Sequence, residues 1–407
     1  MSICSLYRGV MTDLLPTPTR FGSDPAWARR AARPLRLVAG RRPEPTPAEL
    51  DRMRAALLRR DDEAHALVRA VREEHSVTMP QFRQALEHGI GSVPGAPPAL
   101  RRFFAVVDAR PAWVDDALLD RGARAMQKLG WDGFDLLTWG SLLGGYRSAA
   151  ALEPLVRSGR LLGASTARRT AETSRWFLAC IEDDGMRRGS EGWRLTVHVR
   201  VMHAFVNYQL EQDPTWDWEL RGTPINQYDQ ASTLAVFSTT PLLQARLLGI
   251  RVSRRDSRAV MHLWSYIGWL LGVEDHWLPH TEQAGRRIIY HLLAHDPGPD
   301  ESSRVLARAL VDSQADVPGG GWRGVLAREA GLSSATFLNG RTGMHELGLP
   351  ARLPWYPALR IPVNLLWTHL VGRLPGGEAL VVRRGRRGRD RRVRLQHGRL
   401  AEVPQPG

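Results

Sequence analysis

Residues 193–206 read Trp-Arg-Leu-Thr-Val-His-Val-Arg-Val-Met-His-Ala-Phe-Val, and the apolar residues in this run recur at the spacing of an α-helix. With about 3.6 residues per turn, Val199 and Leu210 share a helix face with His203, so one imidazole interrupts a mainly apolar surface. His198 points to another side of the helix, so the two histidines cannot bind the same metal ion. This face suits an axial metal ligand, and it equally suits a core histidine bonded to a backbone carbonyl.

Helical spacing continues on both sides of this run. Thr46 and Pro47 form a typical helix N-terminus, and apolar residues follow at three- and four-residue spacing. Alternation typical of strands occurs only at residues 379–383 and 393–400, which fit a short C-terminal β-hairpin. The sequence therefore predicts an all-α fold, with that hairpin as its only other element. The predicted helices beyond residue 150 cover 154–158, 165–180, 192–210, 226–237, 241–248, 256–272, 279–294 and 301–311.

The chain divides into three segments by composition. Residues 1–45 mix proline, glycine and arginine without periodicity, which predicts a poorly ordered N-terminal arm. Residues 46–375 carry the helical pattern, and a segment of this length can bury the core of one large domain. Residues 376–407 form an arginine-rich C-terminal tail.

The formal net charge of +14 comes almost entirely from arginine, since Lys128 is the only lysine. The segment 383–399 holds nine arginines against the single Asp390. A basic segment at a chain end is more often a solvated arm than a surface that reads nucleic acid, so nucleic-acid binding is disfavoured as the main function. We expect the tail to allow peripheral contact with an anionic membrane.

The sequence lacks the signature motifs of several classes of protein. Cys4 and Cys180 cannot form a disulfide framework, and no Cys-x-x-Cys-His is present for covalent haem attachment. No P-loop, Gly-x-Ser-x-Gly or Gly-x-Gly-x-x-Gly occurs, and the pair His291 and His295 is a weak candidate for a separate metal site. No apolar run is long enough to cross a bilayer and no signal peptide is evident, so we expect a cytoplasmic protein.

Two polar groupings precede the histidine helix. Glu153 stands before Pro154, which predicts a helix break where a carboxylate could project into a cavity as a general base, or simply cap a helix. Arg169, Glu172 and Thr173 share one helix face at offsets of three and four. The same spacing is common in ordinary surface pairs.

Six short motifs follow one another between about residues 100 and 300. They are Gly-Ser-Leu-Leu-Gly-Gly-Tyr at 140–146, Gly-Arg-Leu at 159–161, Arg-x-x-Glu-Thr at 169–173, Val-Arg-Val-Met-His-Ala at 199–204, Pro-Ile-Asn-Gln at 224–227 with Asp229, and Tyr-Ile-Gly-Trp-Leu-Leu-Gly at 266–272. In this order and spacing they resemble the MpaB-type and latex-clearing rubber oxygenase family. The resemblance implies an all-helical fold with a globin-like core around haem b.

The same resemblance assigns roles to individual residues. His203 matches the proximal ligand of the haem iron, and Glu153 matches an acid that acts as a base near the distal pocket. Arg169 and Thr173 match the pair that flanks the distal site. Glu172 stands where rubber oxygenases carry a lysine that can ligate the iron, and a carboxylate is a poorer haem ligand than a neutral amine. Cleavage of rubber itself is therefore not the expected reaction.

These observations lead to one main hypothesis and two alternatives. The main one is a haem b-dependent oxygenase, dioxygenase-type, that acts with O₂ on an apolar, isoprenoid-like alkene. The first alternative is a non-enzymatic helical haem protein that senses or stores oxygen. The second is a basic helical binding protein, which predicts a colourless protein whose binding falls steeply with salt.

Overall fold

The computed structural model describes residues 16–157, 164–313 and 321–397, with side chains described outside 164–170 and 396–397. Across these ranges the ordered elements are helices and no strand occurs, which confirms the all-α prediction. The α-helices are α1 Pro25–Arg36, α2 Pro47–Ala56, α3 Asp62–Arg72, α4 Met79–His88, α5 Pro98–Asp108, α6 Asp116–Gln127, α7 Gly130–Asp135, α8 Leu143–Gly145, α9 Ala149–Arg157, α10 Ala164–Cys180, α11 Glu191–Glu211, α12 Trp218–Arg221, α13 Gln227–Leu247, α14 Arg254–Leu270, α15 Glu282–Leu293, α16 Glu301–Ser313, α17 Gly321–Glu346, α18 Trp355–Leu365 and α19 Gly377–His397.

Local signals set most helix boundaries. Thr46 and Glu49 form a capping box at the start of α2, in which each residue binds the other's backbone N–H. The predicted helices 165–180, 192–210 and 301–311 coincide with α10, α11 and α16 to within two residues. The predicted helices 226–237 and 241–248 are instead one helix, α13, which continues through Pro241.

The main core packs aromatic side chains from the central helices. Trp264 of α14 is fully buried and stacks on Phe177 and Phe237, with ring centroids 5.9 and 5.4 Å away. Trp176 meets Phe237 edge to face at 5.5 Å, so α10, α13 and α14 share one aromatic cluster. Large aromatic side chains dominate core energetics because each buries about 150–250 Å². Of the helices in the described ranges, none is both long and apolar enough to cross a bilayer.

A π-helix at Leu136–Leu142 joins α7 to α8 and passes close to two other helices. A Cβ at Gly140 would overlap the side-chain amide of Gln244 on α13, so a larger residue there would require that side chain to move. Asn339 of α17 donates a hydrogen bond to the carbonyl of Trp139 (2.7 Å). The backbone at Gly140 is therefore approached closely by another helix.

The described part of the predicted N-terminal arm, residues 16–45, is folded against the domain. It contains α1, and Arg20 forms a buried bidentate pair with Asp229 (3.1 and 2.6 Å). Pro43 accepts a hydrogen bond from the His291 ring (2.7 Å). The expectation of poor order fails here because the partners of these residues lie more than 200 residues away in the chain.

The predicted C-terminal hairpin is wrong for the residues that the structure describes. Residues 379–383 and 393–397 both lie in α19, which packs along α7. Arginine favours a helix, and the small Gly385 and Gly388 let it lie close to the junction of α6 and α7 despite the low helix propensity of glycine. The short alternation at 379–383 has no neighbouring strand to pair with among the described residues. Residues 398–407, the rest of the predicted tail, lie outside the described residues.

Candidate functional site

The candidate site lies along the antiparallel helices α10 and α11. Near the turn that joins them, Trp176 donates a hydrogen bond to Oγ1 of Thr196 (3.0 Å), and Cys180 Sγ lies 3.5 Å from the same oxygen. Burial raises the pKa of the Cys180 thiol to about 12, so a thiolate ligand is not available at neutral pH. These contacts fix the register of the two helices.

Counting helical turns along this register relates three of the four predicted site residues. One turn beyond Trp176 and Thr196, a straight continuation pairs Thr173 with Val199. A further turn pairs the backbone position of Arg169 with His203. The side chain of Arg169 lies outside the described residues, and so does the motif at 159–161.

His203 is half-buried, and its Nδ1 is shielded from solvent. Val199 on the same face is a half-buried apolar side chain that packs against the main core, and Leu210 further along is buried. His198 belongs to another side of α11, where its ring lies 6.3 Å from that of Phe82 on α4. The apolar face around His203 and the separation of the two histidines agree with the sequence.

Glu172 and Thr173 have opposite environments on α10. Glu172 is buried, whereas Thr173 is exposed. Thr173 precedes Trp176 and Phe177 by about one turn, and both of those belong to the aromatic cluster. A ligand beside Thr173 would therefore meet a hydroxyl next to an aromatic wall.

Glu153 lies inside α9, with Pro154 also in that helix, so the predicted helix break is wrong. Its carboxylate contacts Nε of Arg157 (2.7 Å) and Nη2 of Arg221 (3.5 Å). Arg157 also bonds Thr215, just beyond the end of α11 (2.7 Å). These contacts tie Glu153 to the C-terminal end of α11, and that end lies roughly 12 Å along the helix axis from His203.

The two guanidinium partners of Glu153 were missed from the sequence. Arg157 stands four residues after Glu153, and this i,i+4 spacing predicts the ion pair between them. Arg221 belongs to the short helix α12 and stacks over Trp216 (6.0 Å), as Arg157 does (5.5 Å). Nothing in the sequence around Arg221 indicates this contact, because it depends on how the chain returns after α11.

Two other sequence candidates have structural roles. His291 binds the carbonyl of Pro43, and His295 Nδ1 lies 2.8 Å from the carbonyl of His291, so each ring already has a backbone partner. In the 224–227 motif, Asn226 caps α13 by accepting the backbone N–H of Asp229 (2.9 Å). These residues fix the ends of helices around the site.

One feature of α11 bears on the haem that the family resemblance implies. A porphyrin supplies four nitrogen ligands itself, so the protein needs to add only an axial side chain. His203 is a half-buried imidazole with apolar neighbours, which is compatible with that single role. No cluster of three or more His, Cys, Asp or Glu side chains is found in the part of the chain that the structure describes.

The described residues form an all-helical fold in which α10 and α11 carry three of the four candidate residues. Comparison with known proteins identifies the family. Residues 127–373 match the family described as "ER-bound oxygenase mpaB/B'/Rubber oxygenase, catalytic domain". This match covers more than half of the chain and all four predicted site residues, so the chain belongs to that family, as its motifs indicate.

Two individual proteins are similar to this chain. The rubber oxygenase of Streptomyces sp. (strain K30) is 28% identical over 232 residues, which cover 54% of this chain and 55% of the relative. The chain thus matches about half the length of this curated relative. The structure of latex clearing protein LCP in the closed state superposes with a TM-score of 0.66 at 24% identity, covering 83% of this chain and 91% of that one. That likeness shows the fold.

Proposed function

We propose that this protein is a haem b-dependent oxygenase that acts with O₂ on an apolar, isoprenoid-like alkene. The observation that carries the proposal is the half-buried His203 on an apolar face of α11. Membership of the oxygenase family supports the reaction class. A small apolar substrate would have to approach the exposed Thr173, about one turn from the buried aromatic residues Trp176 and Phe177.

Each candidate residue has a distinct task in this proposal. Haem, when bound, supplies the iron that binds and activates O₂. His203 would hold that cofactor through its imidazole, while Arg169 and Thr173 would donate hydrogen bonds to bound oxygen. Glu153 would accept a proton from the carbon next to the double bond, and Arg157 and Arg221 would have to release part of their contact with its carboxylate.

Glu172 makes a difference to the expected chemistry. A carboxylate at this position is a poorer iron ligand than the lysine of rubber oxygenases, so Glu172 would not compete with O₂ for the iron. The substrate would then be a small alkene and not the polymer. Dioxygenase-type chemistry predicts that products formed under ¹⁸O₂ carry both labelled atoms, which mass spectrometry can measure.

The decisive test is the visible absorption spectrum of the purified protein. His203→Ala should abolish the Soret band, because the proposed axial ligand is lost. His198→Ala is a matched control on the same helix and should keep the band, since His198 packs toward Phe82. Full haem content in His203→Ala would overturn the assignment. Haem without O₂ consumption on alkenes would favour oxygen sensing or storage.

A peripheral contact with an anionic membrane is the second part of the proposal. Three tail arginines, Arg386, Arg389 and Arg392, form ion pairs with the domain, and a surface with apolar side chains lies on α18 and the turns that follow it. Leu359, Leu366 and Leu370 are 63%, 49% and 62% exposed and share one side, opposite the inward-facing Arg360 and Asn364.

The charge around this apolar face complements an anionic bilayer. Residues 347–377 contain no Asp or Glu. Arg373 is exposed beside the face, and so is Arg251, whose backbone N–H bonds Oγ1 of Thr368 (2.9 Å). Apolar side chains bordered by cations suit insertion at the headgroup boundary. A cytoplasmic location stays a prediction.

Co-sedimentation with vesicles of phosphatidylglycerol and phosphatidylcholine tests this contact. The double variant Leu359→Gln, Leu366→Gln should bind vesicles at least about tenfold more weakly, because two leucines leave the interface. Leu247→Gln is a control at a leucine that is 56% exposed on α13 and should bind as the wild type does. Equal binding by all three proteins would rule out this face.

A further inference from the structure

The arginines of α19 divide among three sides of the helix. One side is neutralised by acids of the domain: Arg386 contacts Asp183 (2.5 Å), and Arg389 contacts Glu182 (2.7 Å). Further along the same side, Arg392 contacts Asp135 (3.2 Å). A second side, with Arg383 and Arg387, faces solvent. The third side has a different environment.

That third side closes a cavity of about 230 Å³ between α19, α18 and the junction of α6 with α7. Its lining includes the basic residues Lys128, Arg360, Arg384 and Arg391, together with Asp132 and Trp131. Arg384 and Arg391 are seven residues apart, which puts them on the same side of the helix. The cavity therefore receives two guanidinium groups from α19 alone.

The positive charge of this cavity is only partly compensated. Lys128 already contacts Asp256 (3.3 Å) and Glu378 (2.5 Å). Arg360 holds Asp132 in a bidentate pair (2.7 and 2.8 Å). The one carboxylate among the lining residues named above is thus used by another cation.

Arg384 and Arg391 have no carboxylate partner among the described residues. Arg384 is half-buried with its guanidinium over the ring of Trp367 (4.5 Å). Burial lowers the pKa of Arg384, and the neighbouring charge of Arg360 lowers it further. Arg391 is exposed at the edge of the cavity. Two cations that face one cavity without a counter-charge make a favourable place for an anion.

We infer that this cavity binds a phosphate group carried by a small organic molecule. Guanidinium groups match phosphate oxygens with paired hydrogen bonds, and two of them can bind the same group. The cavity is larger than one phosphate, so it leaves room for an attached substituent, with Trp131 as an apolar wall. A soluble phosphomonoester and a lipid headgroup offer the same chemistry. The site does not depend on the proposed haem.

Isothermal titration of the full-length protein with inorganic phosphate at low ionic strength tests the inference. Arg384→Gln and Arg391→Gln should each weaken binding about tenfold or more, because each removes hydrogen bonds to a charged group. Arg383→Gln and Arg387→Gln remove the same charge from the solvent side of α19 and should leave binding unchanged. Arg384→Lys should recover part of the affinity.

Two results would overturn the site. Equal weakening in all four glutamine variants would mean that phosphate binding depends on the net charge of the protein alone. Unchanged binding in Arg384→Gln and Arg391→Gln would place the anion elsewhere. Thermal unfolding of each variant confirms that it is folded, so neither result can come from a misfolded protein.

The source of the phosphate is distinguished with glycerol phosphate and with vesicles of phosphatidylglycerol in phosphatidylcholine. If Arg384→Gln and Arg391→Gln lose both vesicle and phosphate binding, the cavity takes a lipid headgroup. If they lose glycerol phosphate but keep vesicle binding, the cavity takes a soluble phosphomonoester. Both results keep the cavity as the anion site.

Discussion

Helices α11 and α19 are each 21 residues long, yet the sequence reveals very different amounts about them. In α11 the apolar residues recur at helical spacing, so the helix and its candidate ligand can be predicted from that run alone. In α19 arginine dominates, and the acids that hold the helix come from residues 135, 182 and 183. The first helix is specified by local pattern, and the second by partners that only the fold brings close.

Both helices are nevertheless anchored in the same way, by a buried guanidinium. Arg200 of α11 holds Asp61 with two hydrogen bonds (2.5 and 2.8 Å), and both side chains are nearly inaccessible to solvent. Arg392 of α19 holds Asp135 at 3.2 Å and also lies 4.9 Å from the ring of Trp131. The two anchors should differ in how the cost of removing the arginine depends on pH.

The largest effect is expected at the anchor of α11. Arg200→Ala should lower the free energy of unfolding by about 3–5 kcal/mol, because it leaves the carboxylate of Asp61 buried without its cation. Urea unfolding at pH 7 measures this change. Gln209→Ala, at an exposed position of the same helix, should stay within about 0.5 kcal/mol of the wild type. A loss below about 1 kcal/mol for Arg200→Ala would show that water solvates the Asp61 carboxylate in place of the arginine.

The anchor of α19 should respond to pH. Burial raises the pKa of Asp135 to about 6, although Arg392 acts to lower it. Between pH 3.8, the pKa of the unfolded carboxyl group, and pH 6, the folded protein keeps a proton on Asp135 that the unfolded chain loses. The contribution of Asp135 to stability therefore increases as the pH falls through 6 and is lost as the pH rises. Without Arg392 the pKa rises further, and a protonated Asp135 needs no cation.

Arg392→Ala should therefore cost about 3 kcal/mol at pH 8 and clearly less at pH 5. Urea unfolding at the two pH values measures the difference. Arg387→Ala, on the solvent side of the same helix, should change stability little at either pH. The same loss for Arg392→Ala at both pH values would mean that Asp135 is ionised throughout.

Local periodicity explains how much of the fold the sequence predicts. The helices around 165–180 and 192–210 are confirmed because their apolar residues and end signals lie within the helices themselves. The break expected at Pro154 is wrong, and so is the gap expected before Pro241, because tertiary packing keeps both helices continuous through the proline. Proline marks a local preference that packing can override.

The candidate site shows the same limit. His203 and the segment 169–173 lie on consecutive helices joined by residues 181–190, so their pairing can be estimated from the sequence by counting helical turns. Glu153 is different, since its neighbour Arg221 comes from a later part of the chain. The arginines of the tail were expected to be solvated for the same reason, because Glu182, Asp183 and Asp135 lie about 200 or more residues away.

The smallest expected effect concerns how closely α19 packs. A Cβ at Gly385 would overlap the carbonyl oxygen of Gln127, whereas a Cβ at Gly388 would lie 3.4 Å from the backbone nitrogen of Trp131. Gly385→Ala should therefore lower the free energy of unfolding by about 2 kcal/mol through overpacking. Gly388→Ala is the matched control and should be neutral or stabilise by up to about 1 kcal/mol, because alanine favours a helix. If the two variants were equally stable in urea unfolding, α19 would be held by its ion pairs and not by close backbone contact.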